Sequence, residues 1–410
     1  MKILNSFRPL CFSAVLVLSA ASVRAAERDS LLTQDWKFYR GCVADAENPA
    51  FPDSTWRTVT LPHDWSVEPL KVQRKGVSVG PFSKMSPGDI DTGQTMGGEG
   101  WYRKRLTLTG EDRGKRIFLY IEAAYNQSEV YVNGRKVHYN AYGYTPYKVD
   151  ITPWLNAPGK ENTLAVKVVN EGRNSRWYAG SGLFRHVWLI KTDSLHLDAW
   201  DTYVDASRVK GRTAEVRLST VLHNAGTEAG EATVGVTVYG PDGRRILHTE
   251  GKAATADSTL YNTTVSVPRA QLWSPDSPRL YTAEVTLTAD GRERDKITVP
   301  FGIRTIAFTA DKGFLLNGKP LKLKGCCVHH DNGLLGAAAI RRADERKAEL
   351  LKANGFNAVR LSHNLASEDF LNACDRLGLL VIHETFDQWQ DAKREEDYHS
   401  KFAEEYDAVA

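Results

Sequence analysis

The 410-residue sequence has no apolar run of the ~18 residues that a membrane-spanning helix needs. It has no low-complexity tract, and only five cysteines. The first absence argues against a membrane protein. The second, with 42% hydrophobic and 25% charged residues, excludes a disordered chain. The third excludes a small disulfide-stapled scaffold. A surplus of one charge is missing too. The formal charge of +3 comes entirely from Lys2, Arg8 and Arg24, which share the first 25 residues with no acid. The remainder is neutral and has no electrostatic footprint for nucleic acid.

Those first residues explain themselves. Lys2 and Arg8 precede an apolar stretch from Leu10 to Ala21, and Val23-Arg24-Ala25 offers compact residues at −3 and −1. This pattern predicts a cleavable signal peptide over 1–25 and a secreted or periplasmic protein. Four cysteines then remain: Cys42, Cys326, Cys327 and Cys374. They are too scattered for a disulfide framework, and they lack zinc-ligand spacing. Cys326 and Cys327 fall on a predicted strand and read as small core residues.

Length predicts two to three domains. Over 26–191 the signals are all β: about eight alternating runs, with Asn133-Gly134 as a hairpin turn, predict a jelly-roll sandwich. Over 192–307 the alternation is cleaner. Val216, Leu218 and Thr220 share one strand face, and Val234, Val236 and Val238 share another. Strands spaced near ten residues apart predict an immunoglobulin-like sandwich. From 308 the period changes. A hairpin at 314–320 is followed by a strand at 321–328, a helix at 338–354 and a strand at 356–361. A helix capped by Ser367 and stopped by Gly378 comes next, then an apolar strand over 379–382 that reads as buried on both faces. This βαβαβ order opens a parallel α/β fold. Roughly 100 residues remain for it, against about 250 for a closed (β/α)8 TIM barrel, so 308–410 is expected to form only the first part of one.

In such folds chemistry sits at the carboxyl ends of strands. Three clusters stand there: His329, His330 and Asp331; Arg360, Ser362, His363 and Asn364; His383, Glu384 and Asp387. Imidazole and carboxylate groups suit sugar hydroxyls. The loop Arg176-Trp177-Tyr178-Ala179-Gly180-Ser181-Gly182 could bring an aromatic face to a pyranose ring. It could equally be a turn packed on the sandwich. Trp101, Tyr142 and Tyr144 read as core or interface residues.

The runs Asn357-Ala358-Val359-Arg360-Leu361-Ser362-His363-Asn364 and Cys374 to Glu384 resemble the signature of glycoside hydrolase family 2. Lys324 to Asp331 is similar to its β-galactosidase branch. Leu61-Pro62-His63-Asp64-Trp65, Ser175 to Arg185 and Leu272-Trp273-Ser274-Pro275 resemble its two β domains. Leu365 stands where the family usually has Pro, and His383 where it usually has Asp. The resemblance implies retaining hydrolysis of β-galactosides. It places the acid/base and nucleophile glutamates after the fourth and seventh barrel strands, outside these 410 residues, so no catalytic residue is assigned and the chain is expected to be inactive. Asn170-Glu171 is read as a chance match to the acid/base dipeptide. By resemblance, Arg360 would hold the nucleophile, His363 would bond a sugar hydroxyl, and Glu384 would contact a cation such as Mg2+ or Na+. His329, His330, Asp331 and Asn364 would line the pocket, with Arg176 and Trp177 reaching in from the sandwich. The expected partner is a β-galactoside-containing carbohydrate. A non-catalytic carbohydrate-binding protein, and a β-glucuronidase or β-mannosidase relative, are the alternative readings.

Overall fold

The computed structural model describes residues 28–68, 78–79, 82–83, 94–171, 178–226 and 229–385. Residues 1–25, over which a signal peptide is predicted, and Arg176, Trp177 and Asp387 lie outside them. Two antiparallel sheets form the first sandwich. One runs Asp29–Leu31, Val187–Thr192, Arg116–Ile121, Tyr147–Asp150. The other has six strands, with Gly98–Thr107 and Glu161–Asn170 at its centre. Alternation decides which side chains go between them. Val130 and Val132, Val166 and Val168, and Leu119 and Ile121 meet Trp36, Phe38 and Trp65 in one core. Asn133 and Gly134 take positive φ in the predicted hairpin. Trp101 packs in a smaller cluster on the outer face.

The second sandwich has three strands against four: Leu195–Lys210, Thr213–Asn224 and Ser258–Val267 face a sheet centred on Glu231–Tyr239 and Leu280–Ala289. The predicted faces of Val216 and Leu218, and of Val234, Val236 and Val238, fill its core. Leu195–Lys210 carries an irregularity. Its pairing jumps from Leu197↔Leu222 to Thr202↔Thr220, so Asp198 to Asp201 bulge opposite Val221 alone.

The parallel part begins after a three-stranded ribbon, Ile306–Thr309, Gly313–Leu316 and Lys319–Pro320. Its strands Gly325–Val328, Ala358–Leu361 and Leu380–His383 pair in sequence order. Helix α1 (Arg341–Ala353) and helix α2 (Glu368–Leu377) cover one face. Ser367 caps α2, its hydroxyl accepting from the Phe370 N–H, and Gly378 ends it at φ +79°. A Cβ on Gly378 would lie 2.4 Å from the Pro275 carbonyl of the second sandwich, so only glycine permits that approach.

Three expectations need correcting. The first barrel strand starts at Gly325, because Leu321 is still held by the hairpin, its N–H donating to the Phe314 carbonyl at 3.0 Å. The third is not buried on both faces: Ile382 is 55% exposed, since no described neighbour covers its inner side. Cys327 is exposed and Cys326 half-buried, so the pair is not core. The strand's outer-facing side chains pack on the helices, which leaves Cys327 on the open face beside Arg360.

Candidate active site

The parallel register sets Val328, Leu361 and His383 side by side, so the residues after them emerge at one end. There Arg360 Nε donates to Glu384 Oε1 at 2.7 Å, and a second guanidinium nitrogen reaches the same oxygen. His363 Nδ1 bonds the other oxygen, Oε2, at 3.0 Å. The His329 ring stands edge-on to His363, centroids 5.6 Å apart. Three of the predicted clusters therefore meet. Partial burial pushes the Glu384 carboxyl up, but hydrogen bonds from His363 and Arg360 outweigh it and hold the group below the ordinary carboxylate range. The hydroxyl of Ser362 and then Arg360, whose Nη1 lies 3.4 Å from Sγ, lower the Cys327 thiol.

His330 lies elsewhere than expected. It is turned into the seam with the first sandwich, against the rings of Tyr144 at 5.2 Å and Phe184 at 5.9 Å. Burial first, and then the Arg185 charge, push its imidazole down to about 3, so it is neutral. Nε2–H donates to the Ala179 carbonyl at 3.1 Å, and Nδ1 faces the Asn364 amide at 3.4 Å. An apolar wall of Tyr142, Tyr144, Phe184 and Ala337 draws this ring away from an open pocket. The void bordered by His329, His330 and Ser362 holds about 20 Å³, room for one water and not for a sugar. Asp331 follows at a half-buried position. The two residues that depart from the family pattern both brace the loop that precedes α2: His383 Nε2 accepts from the Ala366 N–H at 2.9 Å, and the Leu365 carbonyl accepts from Arg185.

One residue that sequence reasoning gave no role holds this arrangement. The buried carboxylate of Asp64 accepts from the Ser66 N–H at 2.9 Å and the Ser181 N–H at 2.8 Å. It also accepts from the Ala337 N–H of the first barrel loop at 2.8 Å. The hydroxyls of Ser66 and Tyr178 complete its shell. Gly336, at φ +62°, lets the loop come close: a Cβ there would lie 2.4 Å from Asp64 Oδ2. Asn170 is also structural, its amide donating to the Gly180 carbonyl and to Ser181 Oγ, which leaves Asn170-Glu171 with no catalytic setting.

The described residues do not fit Mg2+ or Na+ at Glu384. Both carboxylate oxygens are held by a guanidinium and an imidazole, and a cation would have to displace them against that positive field. A grouping of three metal-type ligands, Asp198, Asp201 and His223, lies between the two sandwiches. There Asp198 is already ion-paired with Lys148, and Asp201 is bonded to His223 at 2.7 Å. Among the described residues no helix is long and apolar enough to cross a membrane.

Two sandwiches followed by a parallel sheet with a polar cluster at its carboxyl edge are the architecture expected from the resemblance to glycoside hydrolase family 2. Comparison with known families agrees. Residues 35–193 match the glycosyl hydrolases family 2 sugar binding domain, 195–304 the family 2 domain that follows it, and 308–405 the family 2 TIM barrel domain. The chain belongs to glycosyl hydrolases family 2. It is 38% identical over 389 residues to beta-galactosidase BoGH2A of Bacteroides ovatus, covering 94% of this chain and 44% of that protein. It is 25% identical over 383 residues to a beta-glucuronidase of Bacteroides fragilis, covering 89% and 50%. A family 2 member from Bacteroides cellulosilyticus superposes with a TM-score of 0.87 at 41% identity, over 92% of this chain and 48% of that one. A beta-glucuronidase of Bacteroides uniformis gives 0.80 at 27% identity, over 93% and 44%. The chain thus spans about half the length of the relatives it matches.

Proposed function

We propose that this chain forms the sugar-recognising part of a retaining glycosidase of β-galactosidase type, exported by its amino-terminal leader. The convergence of Arg360, His363, Glu384 and His329 at the carboxyl ends of three parallel strands supports this reading most directly. His363, with Nδ1 on Glu384, has its other ring nitrogen for a sugar hydroxyl. A neutral hexoside is favoured over a uronide. The guanidinium of the cluster, Arg360, is already engaged by Glu384, so little cationic capacity is left for a substrate carboxylate. The identity to BoGH2A points the same way.

Glu384 itself is not the proton donor in this proposal. A general acid needs a raised pKa, and two donors lower this one. A retaining reaction also needs two carboxyls about 5–5.5 Å apart, and these are assigned to barrel strands outside the described residues. Purified chain of these 410 residues is expected to give no turnover of nitrophenyl β-galactoside and to bind galactose in a manner lost in His363→Ala. Turnover abolished by Glu384→Gln would overturn the assignment. Amino-terminal sequencing of exported protein should begin at Ala26.

A further inference from the structure

Away from the barrel end lies an open cleft of about 510 Å³, bounded by the first sandwich, the start of the second and helix α2. That size is in the range of small-molecule sites. Its wall is aromatic. Trp200 is 47% exposed and stands edge-on over Tyr120, ring centroids 4.6 Å apart, while half-buried Trp188 lies in the same wall. Trp200 is there because of the bulge. Asp198 to Asp201 leave the ladder, the Trp200 N–H bonds Asp198 Oδ1 at 3.0 Å, and Thr202 Oγ1 donates to the Asp198 carbonyl at 2.9 Å. A bulge braced by its own side chains turns an indole out of the sheet at a fixed angle. Helix α2 supplies the opposite rim with Glu368, which accepts from Tyr120 at 2.5 Å, and with Asn372.

The charges choose the ligand. Lys148 is ion-paired with Asp198, and Arg28 is paired with Asp29 and Asp295, so neither cation is left for an anion. What remains is a half-exposed indole, with Lys148 Nζ 5.9 Å from its ring centroid, flanked by carboxylate and amide groups. This suits a neutral ring with an apolar face and a rim of hydroxyl donors. We propose that the cleft is a second carbohydrate-binding site, which takes a neutral saccharide unit against Trp200 and holds a glycan at a distance from the barrel. It shares the carbohydrate reading above for its class of ligand but uses none of the barrel residues.

Calorimetry with β-1,4-galactotriose and with cellotriose tests it, on the chain, on Trp200→Ala, on Asn372→Ala and on His363→Ala, each checked for an unchanged thermal melt. Support is saturable binding of either probe that weakens about tenfold or more in Trp200→Ala and also falls in Asn372→Ala, but persists in His363→Ala. Binding lost in His363→Ala and kept in Trp200→Ala leaves the barrel site standing and overturns the cleft. Binding lost alike in both, or no binding of either trisaccharide, also overturns it.

Discussion

The Asp64 carboxylate is one tie between the sandwich and the barrel. Asp64 accepts from two backbone amides far along the chain, Ser181 and Ala337, besides its local bonds. Replacing it by Ala orphans buried N–H groups, and Asp64→Ala should lose about 3–5 kcal/mol in denaturant unfolding. Glu122 makes a different prediction. Burial raises its carboxyl from 4.5 to about 7, although Trp188 donates to it at 2.8 Å. The folded state therefore binds a proton more tightly than the unfolded chain does. That contribution, about 3 kcal/mol, is fully present below about pH 4.5 and is lost as pH rises through about 7. His186, also raised despite its burial by its bond to Asp369, changes with the same sign. Melting temperatures at pH 5 and pH 8 should show a smaller difference in Glu122→Gln than in the native chain. At this scale the sequence was partly legible. His329, Arg360, His363 and Glu384 were visible because strand ends announce themselves. The role of Asp64 was not, because the donors that join distant segments to it are backbone amides with no residue signature.

Helix α2 was the most readable element because its signals are local. Ser367 stands three residues before the N–H it caps, and Gly378 follows the last apolar position. Ser367 also donates to Asp344 Oδ2 at 2.5 Å, linking α2 to α1. Ser367→Ala should cost about 1–2 kcal/mol by chemical denaturation. Gly378→Ala should cost at least about 2 kcal/mol by the same measure, because the left-handed turn and the contact with Pro275 both reject a Cβ. The strands were read less well. Apolar runs such as 379–382 do not say whether both faces find neighbours, and the pairing that would decide it is non-local.

For the molecule as a unit, the domain order followed from the change of period near residue 308, but the seams did not. Trp273 shows why. It is buried at the end of the second sandwich, its Nε1–H donates to the Asp375 carbonyl at 2.8 Å, and its own carbonyl accepts from Asn317 at 3.0 Å. Its partners are a backbone carbonyl and a side chain, both distant in sequence. Trp273→Ala should lose about 3–5 kcal/mol and split a single calorimetric transition into two, the parallel segment melting first.

The Asp64 shell also bears on how such chains can be recombined. Because the carboxylate is on the sandwich and one of its donors is on the first barrel loop, the two segments are not independent cassettes. A chimera that joins this sandwich to another family member's barrel would keep its join intact only if the incoming loop brought a glycine at 336 and a free amide at 337. Crossover points are therefore better placed within the barrel than at its boundary.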